Sequence, residues 1–195
     1  AVKQHGGTFE STLWRSKVGQ QKRFKVFKDA IDFTSMTIVD VGCGIGDFAF
    51  YLTSCGVEFE SFHGIDAMGE MIRTANVREI PRCTFSVLDV VGNTTCVPIS
   101  DWIVCSGTLN AMTQEQAVRL IAELFQRCNV GIGFNFLSDQ SWRDPKTEDL
   151  TPASRFQTNE ILKFAFTLTP LVFFDQAYLN GHDATVIVRK QEVPQ

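Results

Sequence analysis

The sequence predicts an α/β fold in which a mostly parallel sheet is covered by helices on both faces. Strand-like and helix-like runs alternate from Thr37 to Leu137, a pattern typical of parallel strands joined by crossover helices. Two further strand-like runs, LVFFDQAYL and ATVIVRK, flank the turn signal Asn180-Gly181. This arrangement predicts a terminal hairpin, which adds antiparallel pairing to one edge of the sheet.

The individual elements follow from periodicity and from start and stop signals. An apolar stripe predicts a first helix between Val18 and Ile31, and a capping box of Thr113 and Gln116 predicts the start of another helix. A polar segment from Ser138 to about Arg155 is expected to be a lid, a binding loop or disordered, with a helix near residues 154–168. The predicted strands are TIVDVG, FESFHGID, CTFSVLDV, DWIVCSG and VGIGFNFL, and the remaining helices are DFAFYLTSC and MGEMIRTANV. The turn-rich run VGNTTCVP has little helical character.

Composition disfavours several classes of protein. The 195 residues include 44% hydrophobic and 21% charged residues, with a net charge of −4. This charge balance provides no excess of positive charge to bind a nucleic-acid backbone. No run is apolar enough to span a bilayer, and no signal-peptide core is recognisable. The six cysteines form no Cys-x-x-Cys pair, so we expect free thiols in a reducing, cytoplasmic setting. We expect residues 1–195 to form one domain.

A glycine-rich loop follows the first predicted strand, in the run TIVDVGCGIGDFAFYL. Its spacing is Gly42-x-Gly44-x-Gly46, whereas the dinucleotide fingerprint is G-x-G-x-x-G. Asp47 stands where the third glycine is expected, and a carboxylate at a helix N-terminus would repel a pyrophosphate. The loop therefore favours a nucleoside ligand without phosphates and disfavours a nicotinamide-dependent oxidoreductase.

Three carboxylates surround this loop in the predicted topology. Asp66 ends the second strand about 20 residues past the loop, where a carboxylate can accept both ribose hydroxyl protons. Asp89 ends the third strand and could accept from the adenine amino group, and Asp40 could favour a nearby cationic amine. Together they suit S-adenosylmethionine (SAM). The alternative is that Asp66 and Asp89 only cap strand ends.

Three segments resemble the successive SAM-binding motifs of the class I methyltransferases: VDVGCGIGDFAFYL, GIDAMGEMIRTA and FSVLDV. The resemblance implies a three-layer sandwich with a seven-stranded sheet in the order 3-2-1-4-5-7-6 and an antiparallel last strand. It implies SAM as cofactor and S-adenosylhomocysteine as product. It also implies that Ala67 and Met68 flank the adenosine, that Asp89 and Val90 hold the adenine edge, and that Ser106 or Gly107 faces the methionine part. The implied cofactor site further includes Asp40, Gly42, Cys43, Gly44, Gly46 and Asp66.

A resemblance to a group of small bacterial and phage methyltransferases spans nearly the whole chain. It rests on HGGTFESTLWRSKVGQQKRFKVF, DWIVCSGTLN, IGFNFLS and YLNGHDATVIVRK. It implies that an N-terminal arm and helix within residues 1–32 fold over the cofactor. Arg23 could then pair with the methionine carboxylate, or it could be a surface arginine.

The substrate side carries fewer signals. In-line methyl transfer from a sulfonium mainly requires alignment and water exclusion, and we expect a small-molecule oxygen or nitrogen nucleophile. Asn110 could face substrate or cap the next helix. Asn135 could line the pocket or satisfy backbone inside the sheet, and Trp142 could cover a ligand or anchor its loop to the core. His182 is expected at the surface of the hairpin turn.

Other functions remain open from the sequence. The segment Ser106–Asn110 lacks the Asn/Asp-Pro-Pro-aromatic element of nucleic-acid N-methyltransferases, which disfavours a nucleic-acid substrate without excluding it. A non-catalytic module that binds SAM or S-adenosylhomocysteine is a second alternative. No Cys, His and Asp set has metal-ligand spacing. The sequence leaves both a monomer and a homodimer possible.

Overall fold

The computed structural model describes residues 17–142 and 153–190. Within them the helices are α1 (Lys17–Ala30), α2 (Asp47–Ser54), α3 (Gly69–Val77), α4 (Gln114–Phe125) and α5 (Thr158–Leu168). The strands are β1 (Thr37–Val41), β2 (Ser61–Asp66), β3 (Cys83–Val87), β4 (Ser100–Cys105), β5 (Cys128–Ser138), β6 (Arg155–Phe156), β7 (Val172–Asp175) and β8 (Asp183–Arg189).

The strands form one sheet in the order β3-β2-β1-β4-β5-β8-β7. Strands β1 to β5 pair in parallel, and β8 runs antiparallel to both β5 and β7. This confirms the order 3-2-1-4-5-7-6 and the antiparallel last strand. The difference is one extra strand, β6, which pairs with the carboxyl end of β5. Because residues 155–156 form this strand, the helix expected near residues 154–168 begins only at Thr158.

Two hydrophobic cores lie on the two faces of the sheet. Ile38 of β1 belongs to the core under α1, α2 and α3, whereas Val39 belongs to the core under α4 and α5. Successive strand side chains point to opposite faces, so Asp40 lies on the same face as Ile38. The order of apolar residues in β1 therefore places one carboxylate inside the core on the α1 side.

Helix α1 is packed closely onto this face. Phe27 is fully buried, and a Cβ added at Gly133 of β5 would lie 3.0 Å from its ring. A glycine in the middle of a strand normally weakens it, but here it lets an aromatic ring reach the backbone. The predicted helix over Val18 to Ile31 is thus confirmed within one residue at each end, while residues 1–16 of the predicted arm lie outside the described residues.

Two polar contacts fasten α1 to the rest of the fold. Arg23 donates through Nε and Nη2 to the two carboxylate oxygens of Asp183 in β8, at 2.6 and 2.5 Å. Gln20 donates through Nε2 to Oδ2 of Asp47 at the start of α2, at 3.0 Å. Both Arg23 and Asp183 are buried, so each charge compensates the other away from water.

The connection between β3 and β4 contains only the short 3-10 turn Thr94–Cys96, which confirms the low helical character predicted for it. Among residues 17–142 and 153–190, no helix has the length and hydropathy needed to cross a membrane.

Removal of one partner of the buried pair should destabilise the fold strongly. We expect Arg23→Met to lower the free energy of unfolding by about 3–5 kcal/mol, because it leaves the Asp183 carboxylate buried without its counter-charge. Lys25→Met is the matched control, since Lys25 pairs with Asp29 on the exposed side of the same helix. It should cost less than about 0.5 kcal/mol. Urea denaturation measures both values, and equal midpoints for the two variants would contradict this account.

Candidate functional site

The glycine loop connects β1 to α2 at the carboxyl edge of the sheet. Gly42, Gly44 and Gly46 have φ values of 75°, 55° and 77°, a region that favours glycine. A Cβ at Gly42 would lie 2.2 Å from Oγ1 of Thr108, and a Cβ at Gly46 would lie 2.9 Å from the Phe85 ring. Side chains of the protein itself therefore require the first and third glycines to be small.

Thr108 joins the loop after β4 to the end of β1. Its hydroxyl Oγ1 donates to the carbonyl oxygen of Val41 at 2.6 Å. The contact passes directly over Gly42, so the two loops that border the crevice between β1 and β4 hold one another in place. No local signal in the sequence indicates this role of Thr108, because its partner Val41 is distant in the chain.

Asp66 ends β2 and lies beside the glycine loop. Its Oδ2 accepts from the backbone N–H of Gly44 at 3.0 Å, and its Oδ1 accepts from the N–H of Met68 at 2.8 Å. The carboxylate thus has a fixed orientation, and each oxygen keeps a further lone pair for another donor. Ala67 and Met68 follow it with exposed side chains.

Asp89 and Val90 follow β3 on the same edge. Asp89 is exposed, its Oδ1 accepts from the N–H of Val91 at 3.1 Å, and its carbonyl oxygen accepts from Asn93 at 3.0 Å. Val90 is buried. An exposed acceptor therefore lies beside an apolar side chain, an arrangement that can present a polar edge and a flat apolar contact to one ligand.

Asp40 is the most unusual acidic group of the site. Its side chain is 2% exposed, and within the described residues its Oδ1 has no hydrogen-bond partner. Burial, followed by the charges of Asp66 and Asp47, raises the pKa of Asp40 to about 8. A buried carboxyl group without a partner is costly, and a cation or a hydrogen-bond donor from a ligand would compensate it.

Asp47 occupies the N-terminus of α2, and its charge is neutralised within the protein. Nη1 of Arg78 donates to Oδ1 of Asp47 at 2.6 Å and to the carbonyl oxygen of Ile45 at 2.8 Å. Gln20 donates to the other carboxylate oxygen. The positive end of the helix dipole therefore faces a carboxylate of the chain, which is consistent with a ligand that brings no phosphate to this loop.

Asn135 joins β5 to the loop after β4. It is fully buried, its Oδ1 accepts from the N–H of Gly107 at 2.7 Å, and its Nδ2 donates to Oγ of Ser106 at 3.2 Å. Asn135 was expected either to line the pocket or to satisfy backbone inside the sheet, and in the structure it accepts a hydrogen bond from the backbone of Gly107. Cys43, in the glycine loop, is buried too, and its pKa is raised by that burial.

Two other substrate candidates have contacts that narrow their roles. Oδ1 of Asn110 accepts from the N–H of Leu137 at 3.1 Å, while Thr113 caps α4. The alternative in which Asn110 caps the next helix is therefore wrong. Trp142 is 93% exposed, so the alternative in which it anchors its loop to the core is wrong as well. Residues 143–152 of the predicted lid lie outside the described residues.

His182 differs from the sequence-based expectation. It precedes β8 and is 8% exposed, so the prediction of a surface position is wrong. Nη2 of Arg155 donates to Nδ1 at 2.9 Å, and a guanidinium can only donate; Nδ1 is therefore an acceptor and the ring carries its hydrogen on Nε2. Nε2 lies 4.0 Å from Oδ2 of Asp183. The turn residues Asn180-Gly181 suggest exposure, whereas in the folded protein His182 is buried and contacts Arg155.

Arg23 takes part in the ion pair with Asp183 described above. The predicted pairing of Arg23 with a methionine carboxylate would compete with this pair, and it stays a prediction. Among the described residues, no group of three or more His, Cys, Asp or Glu side chains could hold a metal ion.

The chain has clear similarity to known proteins. Residues 38–131 match the family model described as "Methyltransferase domain". A search of curated proteins finds no match.

Solved structures share the fold at low sequence identity. The magnesium protoporphyrin IX methyltransferase of Synechocystis PCC 6803 with bound S-adenosylhomocysteine has a TM-score of 0.69 and 15% identity, covering 89% of this chain and 84% of that one. A complex of the protein DhpI with SAM and HEP has a TM-score of 0.71 and 12% identity, covering 92% and 89%. A SAM-dependent methyltransferase of Aquifex aeolicus has a TM-score of 0.66 and 16% identity, covering 92% and 95%.

The family match includes the glycine loop, Asp66 and Asp89, and the shared fold extends over most of the chain. Residues 38–131 thus match a methyltransferase domain, and the chain has the fold of solved SAM-dependent methyltransferases.

Proposed function

We propose that this enzyme transfers the methyl group of SAM to an oxygen or nitrogen atom of a small molecule by in-line displacement. The observation that carries the small-molecule assignment is the position of β6. This strand pairs with Leu137 and Ser138, beyond the last residue of β5 that pairs with β4. Strand β6 therefore continues the sheet past the end of β4. The N–H of Ser154, just before β6, donates to the carbonyl oxygen of Asn110 at 3.0 Å. A site bounded in this way favours a compact substrate over a long polymer.

The cofactor roles proposed for individual residues follow from their contacts. Asp66 is oriented by two backbone N–H groups and would accept from the ribose hydroxyls. Asp89 would accept from the adenine amino group, with Ala67, Met68 and Val90 beside the adenosine. Asp40 would compensate the ammonium group of the methionine part. The buried, unpartnered Oδ1 of Asp40 supports this assignment, since it fits a cationic ligand.

Helix α1 is proposed to cover the cofactor. Gln20 contacts Asp47 at the end of the glycine loop, so α1 is held beside that loop. Enclosure by α1 would exclude water from the transfer step, and exclusion of water favours displacement on an activated carbon. We extend this role to the N-terminal arm within residues 1–32 as part of the same proposal.

The proton of the nucleophile is proposed to leave without a strong protein base. His182 holds its hydrogen on Nε2 and accepts from Arg155 on Nδ1, so neither ring nitrogen is free to take a proton in this arrangement. SAM supplies a methyl group on a sulfonium, which is already an activated leaving group. The side chains of the site would therefore mainly align an amine or an ionised oxygen nucleophile.

The substrate class is supported by one further comparison. The Synechocystis enzyme that shares the fold is a magnesium protoporphyrin IX methyltransferase, which acts on a small molecule. The net charge of −4 on this chain also disfavours a nucleic-acid backbone as a partner.

Turnover should depend on small molecules. We expect release of S-adenosylhomocysteine when the enzyme and SAM are incubated with libraries of amines, phenols and carboxylates. Oligonucleotides should give no release above the rate without substrate. Mass spectrometry of the product identifies the methylated atom, and turnover restricted to oligonucleotides would contradict the small-molecule assignment.

The Asp66 carboxylate should make binding stronger for a ligand that has both ribose hydroxyls than for one that lacks one of them. We expect Asp66→Ala to weaken S-adenosylhomocysteine binding about 10- to 100-fold, because hydrogen bonds to a charged group are lost. The wild type should prefer this ligand over its 2′-deoxy analogue, and the variant should not. Asp175→Ala is the control, since Asp175 also ends a strand and accepts from a backbone N–H. Isothermal titration measures both ligands; a retained preference in Asp66→Ala would refute the ribose assignment.

Asp40 should strengthen ligand binding but lower the stability of the folded protein without ligand. Burial raises the pKa of Asp40 to about 8 in the folded protein, whereas the unfolded chain loses this proton near its ordinary pKa of 3.8. The stability contributed by this group is therefore lost as the pH rises from about 4 to about 8. We expect Asp40→Asn to become more stable than the wild type over this range, and to bind S-adenosylhomocysteine about tenfold more weakly.

Thermal unfolding at pH 5 and pH 8, with titration calorimetry at pH 8, measures both effects. The stability of Asp40→Asn minus that of the wild type should increase from pH 5 to pH 8. A decrease in this difference would contradict the raised pKa of Asp40. Undiminished binding would contradict the assignment of Asp40 to the ammonium group.

A further inference from the structure

The structure determines which atoms of Asn135 donate and which accept in its hydrogen bonds. A backbone N–H can only donate, so the side-chain atom that lies 2.7 Å from the nitrogen of Gly107 must be the amide oxygen. The amide nitrogen of Asn135 therefore faces Ser106, with 3.2 Å between Nδ2 and Oγ. Because Asn135 is fully buried, solvent does not compete for either contact.

Because the Asn135 amide nitrogen donates, the Ser106 hydroxyl takes a defined role. An amide NH₂ group has no acceptor, so Oγ of Ser106 must accept from it. The hydroxyl hydrogen then points away from Asn135. Within the described residues Ser106 makes no other side-chain hydrogen bond, and its side chain is partly exposed. The loop after β4 thus presents one directed hydrogen-bond donor.

The register of β1 and β4 places this donor at the same sheet edge as the unpartnered acceptor of the site. Asp40 pairs with Val104 in the register between β1 and β4, and Ser106 lies two residues beyond Val104. Ser106 follows directly after β4, so the carboxyl group of Asp40 in β1 and the partly exposed hydroxyl of Ser106 lie at the same edge of two paired strands. Together they would complement an ammonium group and a carboxylate on one ligand.

The residue expected to bind that carboxylate is already engaged. Arg23 makes a bidentate ion pair with Asp183 at 2.6 and 2.5 Å. A ligand carboxylate would have to compete with a fully buried side chain for this guanidinium. No such competition exists for the hydroxyl hydrogen of Ser106.

We propose that Asn135 is a positioning residue that holds the Ser106 hydroxyl as a donor to the carboxylate of the amino-acid part of SAM. The proposal rests on the proposed function, since it assigns one part of the same cofactor site. Asn135 does not touch the cofactor; it sets the direction of the hydrogen bond that Ser106 offers. A donor at this point would align the amino-acid end of the ligand while Asp40 compensates its ammonium group.

The substitution Asn135→Asp isolates this effect. An aspartate has nearly the same shape and can still accept from the N–H of Gly107. When this aspartate is ionised, however, its second oxygen can only accept, so the Ser106 hydroxyl turns to donate to it and is no longer offered to the ligand. Asn129→Asp is the matched control, because Asn129 is an exposed residue of the same strand.

The measurement compares two ligands by isothermal titration: S-adenosylhomocysteine and its decarboxylated analogue, which keeps the adenosine, the thioether and the amine. We expect the wild type to prefer S-adenosylhomocysteine by about tenfold, the size of a hydrogen bond to a charged group. Ser106→Ala and Asn135→Asp should each abolish this preference and leave the affinity for the analogue within about twofold. Ser106→Thr, which keeps the hydroxyl, and Asn129→Asp should bind both ligands as the wild type does.

The double variant Ser106→Ala/Asn135→Asp should lose no more preference than either single variant, because both act on one hydrogen bond. Ser106→Ala with its preference intact would overturn the proposal. An equal loss of affinity for both ligands in Asn135→Asp would also overturn it, since that result indicates only a structural role. Failure of the wild type to bind either ligand would instead contradict the assignment of the cofactor site itself, and with it this inference.

Discussion

The site depends on the parallel alignment of β1, β2, β3 and β4. Parallel strands bring all their carboxyl ends to one edge of a sheet, and ligands bind outside that edge where the strand order reverses. The order β3-β2-β1-β4 places this reversal between β1 and β4. The glycine loop, Asp89 and Ser106 each follow one of these strands, and Asp66 ends another. Their proximity is therefore a consequence of topology, although they are distant in the sequence.

The edge is also held together by contacts between its loops. Asp66 accepts from the N–H of Gly44, which ties β2 to the glycine loop. Thr108 donates to Val41 over Gly42, and Asn135 holds Gly107 and Ser106. These bonds are made by groups of the chain alone, so the crevice is preformed. A preformed site loses less conformational freedom on binding.

Two buried charges of this protein have opposite consequences. The Arg23 and Asp183 side chains compensate one another and fasten α1 to β8, so they stabilise the fold. Asp40 has an unpartnered oxygen and a raised pKa, so it costs stability in the free protein. Strain of this kind at a functional site is balanced by packing elsewhere. The phenylalanine-rich core under α1 provides such packing.

The sequence by itself determined the fold class through the alternation of apolar runs, and its resemblance to class I methyltransferases implied the strand order. The candidate cofactor residues were predicted from the spacing of Gly42, Gly44 and Gly46, from acidic residues at the ends of strands, and from the same resemblance. The short strand β6 could not be predicted, because two residues carry no periodicity. The burial of His182 and the pairing of Arg23 with Asp183 were also decided only by the tertiary structure. Each depends on a partner from a distant segment, and a side chain that can donate or accept in many ways acquires one role only when packing selects its neighbour.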